Sequence, residues 1–499
     1  LAHLCSLKPF CPAQKMQARP LSVFLLFFIP ALGGLLFGYD IGSTSYAVAQ
    51  LQDSTYSGTS WSSSASSPFL KGLLTTSTTL GAFLGSIIVF QIADKIGRKI
   101  ELQSGSGLYI LGASGMYLSS FPTSSHLSVS LLVIFRIIYG LGIAFSMHGA
   151  PTYIAEMSPS NLRGFLVSLK EAFIVVGILG GYFVGYMLED YVGGWKYTWG
   201  CSLVVSVPQF FMLWWLPKSS RFLMLVGKEE EAMESIEWVF EGEVGELFED
   251  IKGQVGRQRE KELTQGTTSI FALKWRGALL AGVGLVVLQQ VTGQPSILSY
   301  ATPILDSAGL ESYSSVLVGV FKIFATMFAV LYVDSYGRRK LLFIGNSLML
   351  LALVTLTVTF FFGDGDDDEG LGVRQIVTLG GMFVYIGGYQ VGFGPIAWLM
   401  ISECFPLEIR GQAVAFAVQM NFFWNMVVQF LVPVIQDSIG NVAMFGIFSL
   451  LTAFSIWFVN GYVPETKGLS LEEIEKFFEK QHREKNGKDV KTPLLSHIV

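Results

Sequence analysis

Ala93-Asp-Lys-Ile-Gly-Arg-Lys99 and Val333-Asp-Ser-Tyr-Gly-Arg-Arg-Lys340 are one loop written twice. Each closes an apolar stretch and opens another. A second pair repeats in the same order: Ala155-Glu-Met-Ser-Pro-Ser-Asn-Leu-Arg-Gly164 and Ser402-Glu-Cys-Phe-Pro-Leu-Glu-Ile-Arg-Gly411. A lone D-x-x-G-R-[RK] loop would read as a basic anchor at a membrane surface. Four motifs in duplicated register instead make the chain two copies of one unit. Parallel repeats related by an axis along the membrane normal, with a site between them near the midplane, are a transporter architecture.

Composition agrees. Of 499 residues 51% are hydrophobic and 14% charged, where soluble domains carry about 25% charged residues. The 54 glycines suit helices that approach one another closely in a bilayer. A net charge of −5 gives no basic surplus for nucleic acid. Cys5, Cys11, Cys201 and Cys404 lack the spacing of a disulfide framework or a zinc site, and no other metal or cofactor is implied.

A membrane helix needs about 20 apolar residues. Twelve stretches qualify, near 21–49, 69–92, 101–121, 127–154, 164–187, 197–216, 275–302, 313–333, 341–363, 376–402, 412–435 and 440–463. The expectation is an all-α membrane protein with segments 1–20, 21–217, 218–274, 275–463 and 464–499: a leading segment, a six-helix bundle, a charged helical linker, a second six-helix bundle and a tail. Loops after even-numbered spans hold Lys95, Arg98, Lys99, Arg163, Arg338, Arg339, Lys340 and Arg410, while odd-numbered ones are neutral or acidic, including the run 364–369. Short-loop charge sets orientation, so both termini and the linker are expected on the cytoplasmic side, or the stromal side of a plastid. No cleavable signal is evident. The first methionine is Met16, which points to a fragment or to untranslated residues ahead of it. Residues 1–20 are basic without an acid, compatible with the remains of a transit segment but short and serine-poor.

Two charges interrupt apolar helices: Asp40 in Leu35-Leu36-Phe37-Gly38-Tyr39-Asp40-Ile41, and Arg136 in Leu131-Leu132-Val133-Ile134-Phe135-Arg136-Ile137-Ile138. Each costs roughly 2.5–3.5 kcal/mol to insert and marks a functional site by default. Counting ~1.5 Å per residue from the same membrane face puts Asp40 about 15 Å deep and Arg136 about 14 Å deep, so the two can pair. Glu171 in span 5 lies ~10–16 Å from the opposite face and Lys322 in span 8 ~17 Å.

The motifs resemble the sugar porter family of the major facilitator superfamily. The match runs from about Ser22 to Leu471 and includes Arg136-Ile-Ile-Tyr-Gly-Leu-Gly142, Tyr153-Ile-Ala-Glu156, Gln289-Gln290-Val-Thr-Gly293, Gly394-Pro-Ile-Ala-Trp398 and Pro464-Glu-Thr-Lys-Gly468. Phe37-Gly-Tyr-Asp-Ile-Gly42, Met147-His-Gly-Ala-Pro151 and Thr292-Gly-Gln-Pro295 resemble the plant-type xylose–proton-symporter-like group. The resemblance implies that Asp40 accepts a proton beside Arg136. It implies that Gln289 and Gln290 contact sugar, that Trp398 stacks on it, and that Asn421 and Phe422 form a polar-plus-aromatic pair facing the substrate, with Asn425 one turn beyond Asn421. Pro295 stands where the family has asparagine, so Gln294 is the candidate substitute. Glu171 and Lys322 align with sugar-binding amides of the bacterial xylose symporter, and an ion pair between them lining the cavity is expected. Lys170 has the alternative of snorkelling to the surface. Asp94, Arg98, Glu156 and Arg163, with Asp334, Arg338, Glu403 and Arg410, are expected to latch the outward-facing state and to break on opening inward.

The function implied is proton-coupled symport of a neutral monosaccharide, a hexose or pentose such as glucose or xylose, by a monomeric unit in the lipid bilayer. The alternatives are a facilitative uniporter or exporter in which Asp40 is structural, and a non-transporting sugar sensor. No nucleophile–base pair or nucleotide site suggests an enzyme. The membrane is open between plasma membrane, vacuole and plastid envelope.

Overall fold

The structure is a computed structural model that describes residues 17–122, 124–159, 162–264, 270–272, 275–332, 336–362, 372–405, 409–467, 473–474 and 478. Among them, eight helices are long and apolar enough to cross a membrane. Spans 1 to 5 are Pro20–Gln52, Pro68–Ile96, Arg98–Leu118, Ser125–Met157 and Arg163–Leu188; span 6 is made of Gly194–Gly200 and Leu203–Trp215. Span 7 comprises Arg276–Val291, Gln294–Ser299 and Ala301–Asp306; spans 8 and 9 are Ser314–Tyr332 and Arg338–Phe362; span 10 comprises Val373–Val391 and Phe393–Cys404. The run Arg410–Tyr462 holds spans 11 and 12, divided at Gly440, whose φ of +79° no helix accommodates. The twelve stretches read from hydropathy are therefore all helical.

The breaks have local causes. Gly293, at φ +97°, ends the first piece of span 7, and Tyr385 Oη donates to the freed Thr292 carbonyl at 3.0 Å. Gly392 interrupts span 10 at φ −93°, ψ −91°. Both sit beside residues expected to bind substrate.

Close helix approach repeats between the halves. Gly105 and Gly345 each stand seven residues beyond their half's motif arginine, Arg98 or Arg338. A Cβ on Gly105 would lie 3.2 Å from the Gly142 carbonyl oxygen of span 4; one on Gly345 would lie 2.4 Å from the Gly388 carbonyl oxygen of span 10. Small residues let backbones touch where lipid provides no hydrophobic drive. Apolar cores fill each half, and Phe37 and Met147 pack against both.

Outside the spans, Gln17–Ala18 pairs antiparallel with Phe240–Glu241, and Arg19 bonds Glu241 at 3.2 Å. The helices Ser220–Leu225, Glu229–Val239 and Gly245–Thr264 form the charged segment between the halves.

Span 1 packs on span 5 with no room to spare, since a Cβ on Gly38 would fall 1.8 Å from the Ile174 carbonyl oxygen. Overpacking of this kind costs about 1–3 kcal/mol or more. Gly38→Ala is expected to lower the Tm of the detergent-purified protein clearly. Gly180→Ala, whose Cβ meets only the Tyr39 ring at 3.8 Å, should leave it unchanged; equal Tm values would contradict the packing described.

Candidate proton and sugar site

Arg136 is wholly buried and Asp40 is 7% exposed. Their depths agree as counted, and Arg136 Nη1 donates to Asp40 Oδ1 at 3.3 Å. The guanidinium spends its other donors on the Leu74 carbonyl at 2.7 Å, Ser77 Oγ at 3.1 Å and Thr44 Oγ1 at 3.1 Å. Its carbon lies 4.6 Å from the Trp199 ring centroid, and Trp199 Nε1 donates to the same Thr44 hydroxyl. A buried cation is tolerable only with such a shell of acceptors, and an aromatic face adds to it. Beside Asp40 is a cavity of about 10 Å³ lined by Thr44, Thr75, Thr78, Thr79, Ser299 and Gln429 among others. That is near the smallest space that holds one water. Spans 1 and 2 contribute one wall, spans 7 and 11 the other.

The amides form a second, contiguous network. Gln289 Nε2 donates to the Phe393 carbonyl at 3.0 Å, where span 10 breaks. Gln290 Nε2 donates to Gln289 Oε1 at 3.3 Å, Asn421 Nδ2 to the same oxygen at 3.4 Å, and Asn425 Nδ2 to Gln290 Oε1 at 3.0 Å. Gln429 Nε2 donates to Asn425 Oδ1 at 2.5 Å. Gln294 is buried at the start of the helix Gln294–Ser299, and Trp398 is half-buried against the second half's core. Phe422 belongs instead to the apolar core of the first half.

Glu171 and Lys322 do not form the expected pair. Lys322, 3% exposed, donates to Gln390 Oε1 at 3.0 Å and lies 5.5 Å from the Tyr389 ring centroid. Gln390 in turn donates to Thr326 Oγ1 at 2.5 Å. The Glu171 carboxylate, 43% exposed, is held by Lys170 at 3.3 Å. Lys170 is itself buried, so it does not snorkel. A neighbouring cation on the same helix and an amide on span 10 outcompete the bridge between the halves.

The motif residues pair within halves. Arg98 bonds Asp94 at 2.9 Å and Glu156 at 3.2 Å; Arg338 bonds Glu403 at 3.2 Å. Each glutamate accepts a hydroxyl from just beyond the end of its half: Ser219 on Glu156, and Thr466 on Glu403 at 2.5 Å. Glu465 accepts the backbone N–H groups of Arg338 and Arg339. Arg410 Nε donates to the Phe405 carbonyl. Among the described residues neither Arg163 nor Arg410 reaches an acid. Asp334 lies outside the described residues, as does the acidic run 364–369.

At the opposite end, the halves are bonded together. Tyr46 Oη donates to the Ser312 carbonyl at 2.5 Å, Ser45 Oγ to Thr302 Oγ1 at 3.1 Å and Tyr182 Oη to the Leu298 carbonyl at 2.6 Å. That end is closed while the Arg98–Glu156 and Arg338–Glu403 bridges persist. These bridges join helices of one half to each other.

Sequence reasoning noted Asn425 as one turn beyond Asn421 but missed Gln429, Gln390 and Trp199. The i, i+4, i+8 spacing of 421, 425 and 429 on one helix face was the available signal.

Twelve helices in two like halves, with a carboxylate–guanidinium pair and an amide cluster between them, define a membrane transporter of major facilitator type. The sequence matches the sugar (and other) transporter family over residues 26–478, and the chain belongs to that family. It is 42% identical to the D-xylose-proton symporter-like 3, chloroplastic, of Arabidopsis thaliana over 91% of this chain and 82% of that protein. It is 32% identical to the arabinose-proton symporter of Bacillus subtilis over 95% and 98%. Among solved structures, the inward-open xylose transporter XylE from E. coli superposes with a TM-score of 0.76 at 27% identity, covering 91% of this chain and 99% of that one.

Exchanging Glu171→Gln and Lys322→Asn, singly and together, measures what each side chain does. With Lys322 held by Gln390, loss of Glu171 alone should leave Lys322 in place, and sugar affinity should fall chiefly in the Lys322→Asn variants. One hydrogen bond to a charged group is worth about 1.5–3 kcal/mol, roughly tenfold or more in affinity. Full affinity in all three would exclude both from the sugar site.

Proposed function

We propose that this protein carries a neutral monosaccharide across a membrane together with a proton, by alternating access. The observation that carries the reading is the Asp40–Arg136 pair: a titratable carboxylate beside a permanent cation, between halves closed on one side, next to a water-sized cavity. A carboxylate is an acceptor only when ionised and a donor when protonated. Movement of the halves that opens this site to water changes the balance between desolvation and the guanidinium's attraction, so protonation follows conformation. The amides of Gln289, Gln290 and Asn421 offer planar donors and acceptors for sugar hydroxyls, and Trp398 offers an apolar wall for the ring. The names of relatives, a D-xylose-proton symporter-like protein and an arabinose-proton symporter, support a pentose or hexose as substrate.

The halves 21–217 and 275–463 would rock as units about the segment 218–274. Lysines and arginines gathered on the motif end support that end facing the cytoplasm or stroma. The similarity to a chloroplastic relative favours a plastid envelope over other membranes. A single chain supplies the whole site, which supports a monomeric functional unit. Transport, and not catalysis, is the activity this arrangement serves.

One charge crossing 100 mV is worth ~2.3 kcal/mol, and one pH unit adds ~1.4 kcal/mol. At ~1.4 kcal/mol per decade, one proton per sugar supports accumulation of several hundredfold. Proteoliposome uptake of labelled D-xylose, D-glucose and D-galactose is expected to become concentrative only when a pH gradient is imposed, for at least one sugar. Equilibration without accumulation, unaffected by the gradient, would favour a uniporter.

A further inference from the structure

The amides between the proton pair and the sugar-binding pair all point the same way. Gln429 donates to Asn425, Asn425 to Gln290, Gln290 to Gln289 and Gln289 to the Phe393 carbonyl. Every member is at most 7% exposed. A one-directional chain of this kind polarises along its length in a low dielectric, and no link can reverse alone without leaving two donors or two acceptors face to face. The far end is held by main chain at the break in span 10. The near end is not held: Gln429 lines the cavity it shares with Asp40, and among the described residues no donor reaches its Oε1.

We propose that Asn425 and Gln429 are coupling residues, which transmit the protonation state of Asp40 to the sugar-binding amides Gln289 and Gln290. The inference rests on the symport reading. When Asp40 is protonated its O–H can donate, directly or through one water in the shared cavity, to Gln429 Oε1. This completes the chain and fixes Gln290 and Gln289 in one orientation toward the sugar. When Asp40 is ionised it offers only acceptors, and Gln429 gains by turning its amide N–H toward the carboxylate. That withdraws the donor from Asn425 Oδ1 and frees Asn425 and Gln290 to rotate. Sugar hydroxyls that favour the first arrangement therefore favour the proton, and the proton favours sugar, by the same factor. No bond other than that of the transferred proton is made or broken.

The ionisable groups facing Asp40 are Arg136 from span 4 and the phenols of Tyr39, Tyr109 and Tyr139 from spans 1, 3 and 4; Tyr300 of span 7 acts on Arg136. Neither Asn425 nor Gln429 titrates, so any pH effect of replacing them passes through another group. Another buried carboxylate, Glu101, is bonded to His148 Nδ1 at 2.5 Å between spans 3 and 4, away from the chain of amides. Glu101→Gln serves as a control.

The test uses the full chain in proteoliposomes with D-xylose and D-glucose as probes. Three quantities are measured: counterflow without a gradient, the ratio of half-saturating sugar at pH 8 to that at pH 6, and protons taken up per sugar. The wild type should show a ratio within the roughly 5–150-fold typical of coupled sites. Gln429→Met, which keeps length without the amide, and Asn425→Leu should retain counterflow while the ratio collapses toward unity and proton uptake per sugar falls. Gln429→Leu, which also removes the amide and does not titrate, should do likewise and stands in if Gln429→Met does not fold. Glu101→Gln should keep the wild-type ratio. Active variants with the wild-type ratio would overturn the proposal, as would an equal loss of affinity at both pH values, which would make these residues plain sugar ligands. A wild type with neither pH dependence nor proton uptake would instead refute symport itself.

Discussion

A guanidinium cut off from water must be surrounded by acceptors, and this constraint organises the first half of the molecule. Arg136 draws on three elements besides its own: the Leu74 carbonyl and Ser77 of span 2, Thr44 and Asp40 of span 1, and the Trp199 face of span 6. Breaking a buried pair from one side costs about 3–5 kcal/mol, so spans 1, 2 and 6 are tied to span 4 wherever that cation goes. The one partner able to change its charge is Asp40. Everything else around the arginine is neutral and fixed, which leaves the proton on this carboxylate as the variable.

The second half answers with amides where the first uses charge. Span 11 presents Asn421, Asn425 and Gln429 along one face, and span 7 breaks after Gln289 and Gln290 because Gly293 takes a backbone conformation closed to other residues. A polar group in this setting that lacks a partner costs more than the bond it would make gains. Amides that bond each other avoid that cost. Lys322 lies outside this chain, held by Gln390 in the same half.

Much of this was legible in the sequence, for identifiable reasons. Twelve apolar stretches became helices because a bilayer leaves the backbone no other solution. The Asp40–Arg136 pair followed from counting depth, since an intramembrane charge cannot remain unpartnered. The duplicated loops gave matching Arg98–Glu156 and Arg338–Glu403 bridges because the same spacing sets the same geometry twice. What escaped was side-chain choice between near-equal partners. Glu171 and Lys322 have compatible depths, yet Lys170 and Gln390 stand closer, and depth alone ranks none of them. Phe422 was read as facing the substrate, but its position on span 11 also allows the core of the facing half, where it packs. The family's asparagine is Pro295 here, and its absence gives no hint that Gln429, two turns beyond Asn421, extends the amide network toward the carboxylate.

Coupling depends on the proton held by Asp40. The most direct measurement is the internal pH change of proteoliposomes, read by a trapped pH dye, when sugar is added to wild-type protein and to Asp40→Asn. The wild type is expected to carry protons inward with sugar, while Asp40→Asn exchanges labelled sugar but moves no protons. Proton movement undiminished in Asp40→Asn would contradict the account.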